Sequence, residues 1–331
     1  MTGTPDHASV AHAAVAGAHG AARPLQAMGP GAEFDLIRHL MSRWQDCMAD
    51  IGDDAALLPP SMEPRVVSTD ATVEGVHFRH GWLSPRDIGA RAVAAAFSDL
   101  AAMGASAESI LLALVVPPAW EPVLAEVADG IGDLVRSTGA RITGGNLSRG
   151  DQFSITSTVI GRAPRPVPRS GARVGDRLVV TGTLGGPGQA LAHFLEGGTP
   201  SAWARARFVS PRPRLEQGQR LAAAGATAMI DLSDGLAADA RHVAAASGCH
   251  LAIDPARVPG GPGVSATEAL ASGEEYELLA AVPADRLDAL LAAWDAQRLG
   301  PLTVIGEVVP LPVGAADRAA AGAAGHDHFA R

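Results

Sequence analysis

A chain of 331 residues with 47% hydrophobic and 18% charged residues is typical of a globular protein with room for two domains, and not of a disordered one. Its 26 basic and 35 acidic residues give a formal net charge of −9, which argues against a nucleic-acid partner because neutralising phosphates needs a basic surface. The two cysteines, Cys47 and Cys249, have neither metal-binding nor redox spacing, which indicates a reducing compartment and predicts a cytoplasmic protein.

All of the basic residues are arginine, and the chain contains no lysine. This excludes a Walker-type phosphate loop, protein-kinase chemistry, Schiff-base catalysis and pyridoxal-phosphate anchoring, because each of these uses a lysine side chain. If the protein handles phosphates, it must therefore do so with metal ions, arginine and backbone amides.

The first 31 residues are rich in alanine, glycine and histidine and have no sustained apolar period, so we expect a disordered tail over 1–31. No apolar run is long enough to span a bilayer, and no membrane partner is predicted. Beyond the tail, helix-like and strand-like patterns alternate. A proline- and arginine-rich stretch at 162–173 predicts a linker between two α/β domains, at 32–165 and 166–331.

Hydrophobic periodicity assigns the elements of both domains. In chain order, the pattern predicts helices over 34–48, 87–103, 120–138, 189–195, 215–223, 236–246 and near 286–297. It predicts a strand with a loop over 65–78, and strands over 109–116, 141–145, 153–162, 177–181, 229–230, near 251 and over 302–309.

Oxygen-bearing side chains occur at several element ends, beginning with the adjacent carboxylates of Asp53 and Asp54. Such a pair repels itself unless it is solvated or bridged by a cation, so it fits either an ordinary Gly-Asp turn or a metal site. Ser68, Thr69 and Asp70 follow two valines in a predicted strand and offer the ligand type that Mg²⁺ prefers. A polar strand end that forms a local turn is the alternative.

Asp99 lies on the stripe of a predicted helix that should face the core, because alanine and methionine recur around it at helical spacing. A carboxylate on that stripe cannot stay charged in a dry core without a cation or several hydrogen-bond donors. The alternative is that this alanine-rich stripe faces solvent.

Asp231, Ser233 and Asp234 follow a short predicted strand and precede a helix. Capping of the helix N-terminus explains Ser233 or Asp234 but leaves Asp231 without a role. The acidic cluster 274–277, taken alone, predicts a solvated helix start. The glycine-rich turn 182–188 is either a tight strand-to-helix turn or an anion-binding helix start.

No single cluster decides the function. Their joint occurrence at strand ends and on one apolar helix stripe, in a chain without lysine, predicts a site where several Mg²⁺ ions hold phosphate groups. The residues themselves lead no further than metal-assisted phosphoryl chemistry with an unnamed acceptor.

The same segments resemble the motifs of thiamine-monophosphate kinases, in the family's order over residues 32–329. The motifs are AEFDLI (32–37), IGDDAALL (51–58), STDATVEGVHF (68–78), FSDLAAMGA (97–105), GGNLSRG (144–150), RSGARVGD (169–176), IDLSDGL (230–236), SGEEYEL (272–278) and GHDHF (325–329). The resemblance implies the two-domain aminoimidazole ribonucleotide synthetase-like fold. Its N-terminal domain would pair into a β-barrel across a homodimer, and its C-terminal α/β domain would complete the site.

The resemblance also implies an activity, namely ATP-dependent phosphorylation of thiamine monophosphate to thiamine diphosphate. The transfer would be direct and in line, assisted by several Mg²⁺ ions, with ATP as co-substrate and no covalent nucleophile. The implied metal ligands are Asp54, Ser68, Thr69, Asp70, Asp99, Asn146, Asp231 and Asp234. The implied ATP contacts are Gly145, Asn146, Arg169 and Ser233, and the implied substrate contacts are His77, Glu274 and His326.

Two positions depart from the family's pattern. Asn146 stands where the family has a metal-binding aspartate, so weaker Mg²⁺ binding is expected, and His326 replaces a tyrosine that helps to hold thiamine. A non-catalytic or weakened nucleotide-binding paralogue, and another ATP-dependent ligase of the superfamily, remain the alternative functions.

Overall fold

The computed structural model describes residues 32–48, 56, 58–79 and 81–311. The predicted tail at 1–31 and the site residues Asp54 and His326 lie outside the described residues. Within the described part of the chain, no helix combines the length and the apolar character that crossing a lipid bilayer requires.

The first half of the chain forms a four-stranded sheet with helices on one face. Its elements are α1 (Ala32–Arg43), β1 (Arg65–Val73), α2 (Pro85–Ala102), β2 (Ser106–Val116), α3 (Leu124–Thr138), β3 (Arg141–Arg149) and β4 (Ser154–Arg162). The strand order is β1-β4-β2-β3, with β2 and β3 parallel and the other neighbours antiparallel.

The predicted strand with a loop over 65–78 is confirmed, since β1 ends at Val73 and a turn follows at Gly75 with φ of +81°. Two predicted helices were too long, and the one over 34–48 ends at Arg43. The predicted helix 120–138 begins only at Leu124, because Pro118–Val123 is a 3₁₀ turn that contains Pro122, which has no backbone N–H to donate.

Helices α2 and α3 cross at very short range against the sheet. A Cβ atom on Gly89 would lie 2.1 Å from the carbonyl oxygen of Val127, and one on Gly130 would lie 1.8 Å from that of Arg86. Only glycine allows this approach. Helix α2 is therefore buried on almost every side, and Asp99 is one of its few half-buried positions.

The second half forms a five-stranded antiparallel sheet in the order β6-β8-β5-β9-β7. Its elements are β5 (Arg177–Thr181), α4 (Gly186–Leu195), α5 (Ala202–Val209), α6 (Leu215–Ala223), β6 (Ala228–Asp231), α7 (Leu236–Ser247), β7 (His250–Ile253), α8 (Ala266–Ala271), β8 (Leu278–Val282), α9 (Leu287–Gln297) and β9 (Leu302–Val309). The mixed α/β class with two sheets is as predicted, although most strand pairs are antiparallel. The sequence pattern did not predict α5, α8 and β8, and strand β8 is poor in the β-branched and aromatic residues that are typical of strands.

The segment between the two sheets is held on both sides. The N–H group of Val167 donates to the carbonyl of Met103 in the first half, and the carbonyl of Pro168 accepts from Met229 in the second. Helices α4 and α5 belong to the second half by sequence, yet their Ala190 and Phe208 are part of the core built around the first sheet. The two halves therefore share packing, and a cleft lies between them.

Candidate active site

The cleft has a volume of about 700 Å³ and is lined by both halves of the chain. Strand β1 and helix α2 form one wall, and the ends of β6 and the segment before β8 form the other. The sequence-predicted site residues that line it are Asp70, His77, Asp99, Arg169, Asp231, Ser233, Asp234 and Glu274.

One end of the cleft is acidic. Asp99 on α2 accepts a hydrogen bond from the hydroxyl of Ser68 on β1, and buried Asp231 at the end of β6 accepts one of 2.7 Å from Ser98. Helix α2 thus presents neighbouring side chains to both halves, because Ser98 and Asp99 lie where the helix passes between β1 and β6. The carboxyl groups of Asp70 and Asp234 line the same cleft.

Burial and mutual repulsion make these carboxyl groups costly to ionise. Burial raises the pKa of Asp231 to about 7, with a further contribution from the charge of Asp99. Burial also raises the pKa of Asp99, assisted by the charge of Asp70, while Ser68 and Arg169 act in the opposite direction. A group of carboxylates with so little positive charge beside it is a site that favours a cation.

The donor set fits magnesium. Asp70, Asp99, Asp231 and Asp234 offer carboxyl oxygens and Ser68 offers a hydroxyl oxygen, which are the ligands that Mg²⁺ prefers. Asp70, Asp99, Asp231 and Asp234, with the hydroxyl of Ser68, would hold the ions.

Asp239 on α7 supports the loop that carries Ser233 and Asp234. Its Oδ2 atom accepts hydrogen bonds of 3.1, 3.2 and 3.1 Å from the N–H groups of Ser233, Asp234 and Gly235. Helix α7 is therefore not capped by the side chain of Ser233 or Asp234, and the structure gives Gly235 as its N-cap. Capping does not account for Ser233 and Asp234, which are left to face the cleft.

The rest of the cleft lining includes an apolar wall and the imidazole of His77. Trp82, Leu191 and Leu195 provide apolar surface there, and Trp82 stacks on Phe194 with ring centroids 5.3 Å apart. The Nδ1 atom of His77 accepts a 3.1 Å hydrogen bond from the N–H of Val73. The neutral ring consequently carries its proton on Nε2, which makes Nε2 a hydrogen-bond donor.

The segment 273–277 has no regular secondary structure and its side chains alternate between cleft and interior, which corrects the expectation of a solvated helix start. Glu274 and Tyr276 line the cleft, and both have left-handed backbone, with φ of +58° and +52°. Glu275 and Glu277 point inward and are 3% and 0% exposed. Inward carboxylates are tolerated because Arg207 and Arg214 pair with Glu277, at 2.7 Å for Arg207.

The glycine-rich turn 182–188 supplies its amides to the protein itself. The N–H of Gly185 donates to Glu275 over 2.5 Å, and the N–H of Gly188 donates to the hydroxyl of Ser272 over 3.0 Å. Of the two alternatives, the geometry favours the tight strand-to-helix turn.

Four of the described site residues that were predicted are outside the cleft lining: Ser68, which donates to Asp99, and Thr69, Gly145 and Asn146. The hydroxyl of Thr69 lies 3.1 Å from that of Thr158, and the strand register puts Asn146 on the sheet face opposite Asp70. Gly145 packs so closely on β2 that a Cβ atom there would lie 2.0 Å from the carbonyl oxygen of Leu112. Their roles in metal or ATP binding stay predictions.

Sequence reasoning missed Arg91, Trp82, Tyr276 and Asp239. Asp239 had one available signal, an acidic residue in the first turn of a helix directly after the Asp231–Asp234 cluster. Arg91 had none, because a single arginine in an alanine-rich helix gives no indication of the side chains that surround it.

Comparison with known proteins agrees with this arrangement. The family model "AIR synthase related protein, N-terminal domain" matches residues 52–163, and its C-terminal counterpart matches residues 173–317. A thiamine-monophosphate kinase of Halobacterium salinarum is 36% identical over 287 residues, which cover 85% of this chain and 93% of that protein.

Solved structures give the same result. The crystal structure of thiamine-monophosphate kinase from Stenotrophomonas maltophilia K279a matches with a TM-score of 0.76 and 34% identity, covering 85% of this chain and 95% of that one. AaThiL complexed with AMPPCP and TMP matches with a TM-score of 0.67 and 27% identity, covering 84% and 91%.

The two sheets and the cleft between them define an AIR synthase-related protein. Within that class, the extent and identity of the matches decide the family. The chain belongs to the thiamine-monophosphate kinase family, a family of phosphotransferases.

Proposed function

We propose that the protein transfers the γ-phosphoryl group of ATP to thiamine monophosphate and so forms thiamine diphosphate. The observation that carries the proposal is one cleft whose lining combines Asp70, Asp99 and Asp231 beside Arg169 with His77 and Glu274. A relative's complex with AMPPCP and TMP supports the two ligands.

The acidic end is suited to the triphosphate. Bound Mg²⁺ would neutralise the phosphoryl oxygens, whose charge is spread in a loose transition state. Ser68 and Ser98 orient the carboxyl groups of Asp99 and Asp231 by donating hydrogen bonds to them. Arg169 lines the cleft beside them, and its guanidinium offers the paired donors that phosphate oxygens accept.

The opposite end is suited to thiamine monophosphate. Its apolar wall around Trp82 can cover an aromatic ring, and the carboxylate of Glu274 can attract a cationic one. His77 donates from Nε2 to an acceptor on the substrate, because its Nδ1 atom is already bonded to the backbone. No side chain is required as a covalent nucleophile, so the transfer would be direct and in line between ligands held in one cleft.

We further propose a cytoplasmic homodimer. The sheet face away from α2 and α3 carries Val67, Leu111 and Val115, no helix of the described part of the chain covers it, and Val67 is 69% exposed. Pairing of two such faces would bury them and close the edges of the sheets.

The test is an assay of ADP and thiamine diphosphate with purified protein, ATP, Mg²⁺ and thiamine monophosphate. We expect both products in equal amounts. In the Asp99→Asn variant, turnover should fall at least about 100-fold, since each 1.4 kcal/mol of lost transition-state stabilisation costs tenfold in rate. The thermal unfolding midpoint should not fall, because the substitution removes a costly buried charge while Asn still accepts from Ser68.

Full turnover by Asp99→Asn would refute the metal-site assignment. ATP binding by the wild type without ADP formation would instead indicate a nucleotide-binding paralogue. ADP formation only with a ribonucleotide substrate would indicate a ligase of the superfamily.

A further inference from the structure

Arg91 is a buried cation that the proposed chemistry does not use. It lies on α2, its side chain is 3% exposed, and it reaches the wall of the cleft between the two halves. A buried guanidinium must be compensated by acceptors around it, so its contacts show what it holds.

Each contact of Arg91 joins α2 to the second half of the chain. Its Nη1 atom donates to the carbonyl oxygen of Phe208 on α5, and its guanidinium lies over the Phe208 ring, 4.2 Å from the centroid. Its Nη2 atom lies 2.6 Å from Oε1 of Glu274. The ring and the carbonyl fix the position of the guanidinium, and its contact with the carboxylate is an ion pair without hydrogen-bond geometry.

The carboxylate of Glu274 depends on a side-chain partner for its position in the cleft. The backbone of Glu274 is left-handed, a conformation that costs a non-glycine residue of order 1–3 kcal/mol. The N–H of Glu274 is tied to the carbonyl of Ser233 over 2.7 Å, so the main chain is fixed while the side chain, 26% exposed, faces the cleft. Among the described residues, Arg91 makes the ion pair recorded for this carboxylate.

We propose that Arg91 is a positioning residue for the acceptor substrate and acts through Glu274. It holds the carboxylate at the apolar end of the cleft and ties that position to α2, the helix that also carries Asp99. The substrate-binding carboxylate and the metal-binding carboxylate would then be kept at a fixed separation by one helix. The inference rests on the proposed function and deepens it.

A double-mutant cycle with Arg91→Met and Glu274→Gln tests this, with KM for thiamine monophosphate and KM for ATP measured in all four proteins. We expect each single change to raise KM for thiamine monophosphate roughly tenfold, equivalent to about 1.4 kcal/mol, and to leave KM for ATP within about twofold. In the Glu274→Gln background, Arg91→Met should add less than about twofold, because its target is already gone.

Arg91→Lys and Arg86→Met are the comparison variants. Lysine keeps the positive charge but lacks the planar guanidinium, so KM for thiamine monophosphate should lie between those of the wild type and Arg91→Met. If Arg91→Met does not fold, Arg91→Lys takes its place in the cycle. Arg86 lies on the same helix, is 56% exposed and pairs with Asp133, so Arg86→Met should leave both KM values unchanged.

Multiplying effects of the two substitutions, or an equal rise in KM for ATP, would overturn the inference, since Arg91 would then bind a ligand itself or support the whole cleft. Urea unfolding of the four proteins measures the coupling of the pair without any activity, and additive destabilisation would also overturn it. A wild type that forms no ADP with thiamine monophosphate would refute the proposed function, whereas an active wild type with multiplying effects refutes only the role of Arg91.

Discussion

Carboxyl groups of this protein are distinguished by their surroundings and not by residue type. Asp231 is 5% exposed and has a pKa raised to about 7 by burial and by Asp99, whereas Glu268, in an exposed capping box with Ser265, has a lowered pKa. The hydrogen bond from Ser265 favours the charged form of Glu268, and the desolvation of Asp231 disfavours its charge. The carboxyl group of Asp231 is thus suited to binding a cation, whereas that of Glu268 is suited to capping a helix N-terminus.

At position 146 the chain offers a neutral amide where the motif resemblance implies a metal-binding aspartate. Asn146→Asp should lower the Mg²⁺ concentration for half-maximal turnover, because a charged oxygen binds Mg²⁺ more strongly than an amide oxygen does. The measurement is a Mg²⁺ titration of both proteins at saturating ATP and thiamine monophosphate.

Ser148→Asp is the control for Asn146→Asp. It adds the same charge to the same face of β3, two residues further along, and should not change the Mg²⁺ requirement. The strand register puts Asn146 and Asp70 on different faces of the sheet. If the Mg²⁺ concentration for half-maximal turnover is the same for Asn146→Asp and the wild type, position 146 is not part of the metal site.

Among the elements, the segment 273–277 depends most on what surrounds it. The side chain of Glu275 points to the N-terminus of α4, where its Oε1 atom accepts hydrogen bonds from Gly185 and Ser272. The side chain of Glu277 accepts hydrogen bonds from Thr181 and Arg214. These inward contacts fix the backbone from behind. Glu274 and Tyr276 can therefore keep strained conformations at the cleft surface.

Glu275→Gln should change how stability depends on pH. Burial raises the pKa of Glu275 to about 7 in the folded protein, above its ordinary 4.5, so folding takes up a proton between these values. Its contribution is therefore most favourable at low pH and is lost as pH rises to about 7. Glutamine keeps the acceptor oxygen without a charge, so the unfolding midpoint of the variant relative to the wild type should rise from pH 5 to pH 8.

The matched control is Glu268→Gln, where the pKa is lowered and the carboxylate stays ionised throughout that range. Its difference from the wild type should be flat from pH 5 to pH 8. A flat difference for Glu275→Gln as well would show that its carboxyl group is ionised in the folded protein.

For the whole molecule, the important surface is the bare face of the first sheet. The helices cover one face, whereas Val67, Thr69 and Ala71 of β1 lie on the other with its edge strand unpaired among the described residues. A monomer would leave this surface in water, and an exposed sheet of this kind invites pairing with another chain.

Val67→Asp should convert the proposed dimer to a monomer, because the interface would have to bury an unpaired charge. Light scattering coupled to size-exclusion chromatography measures the mass of the wild type and the variant. Val174→Asp, at a site 60% exposed in the segment between the sheets, should leave the dimer intact. A wild type that elutes as a monomer, or a Val67→Asp variant that stays dimeric, would contradict the proposed interface.

The sequence by itself determined the class of fold and the general chemistry. Strong periodicity located α6, β5 and β9 at their observed bounds, and the oxygen-rich strand ends predicted a magnesium-binding phosphate site before any fold was known. The resemblance to the family motifs predicted the phosphoryl acceptor, thiamine monophosphate. These features are local in the chain, so they can be recognised without knowing which segments meet.

Only the tertiary structure decided which side chains face each other. It turned Glu275 and Glu277 inward, because Arg207 and Arg214 come from α5 and the start of α6 to compensate them, and it brought Arg91 of α2 against Glu274, far along the chain. Helices α4 and α5 pack onto the core of the first half, which their sequence position does not indicate. Such pairings depend on contacts between distant segments, and no spacing within a single segment encodes them.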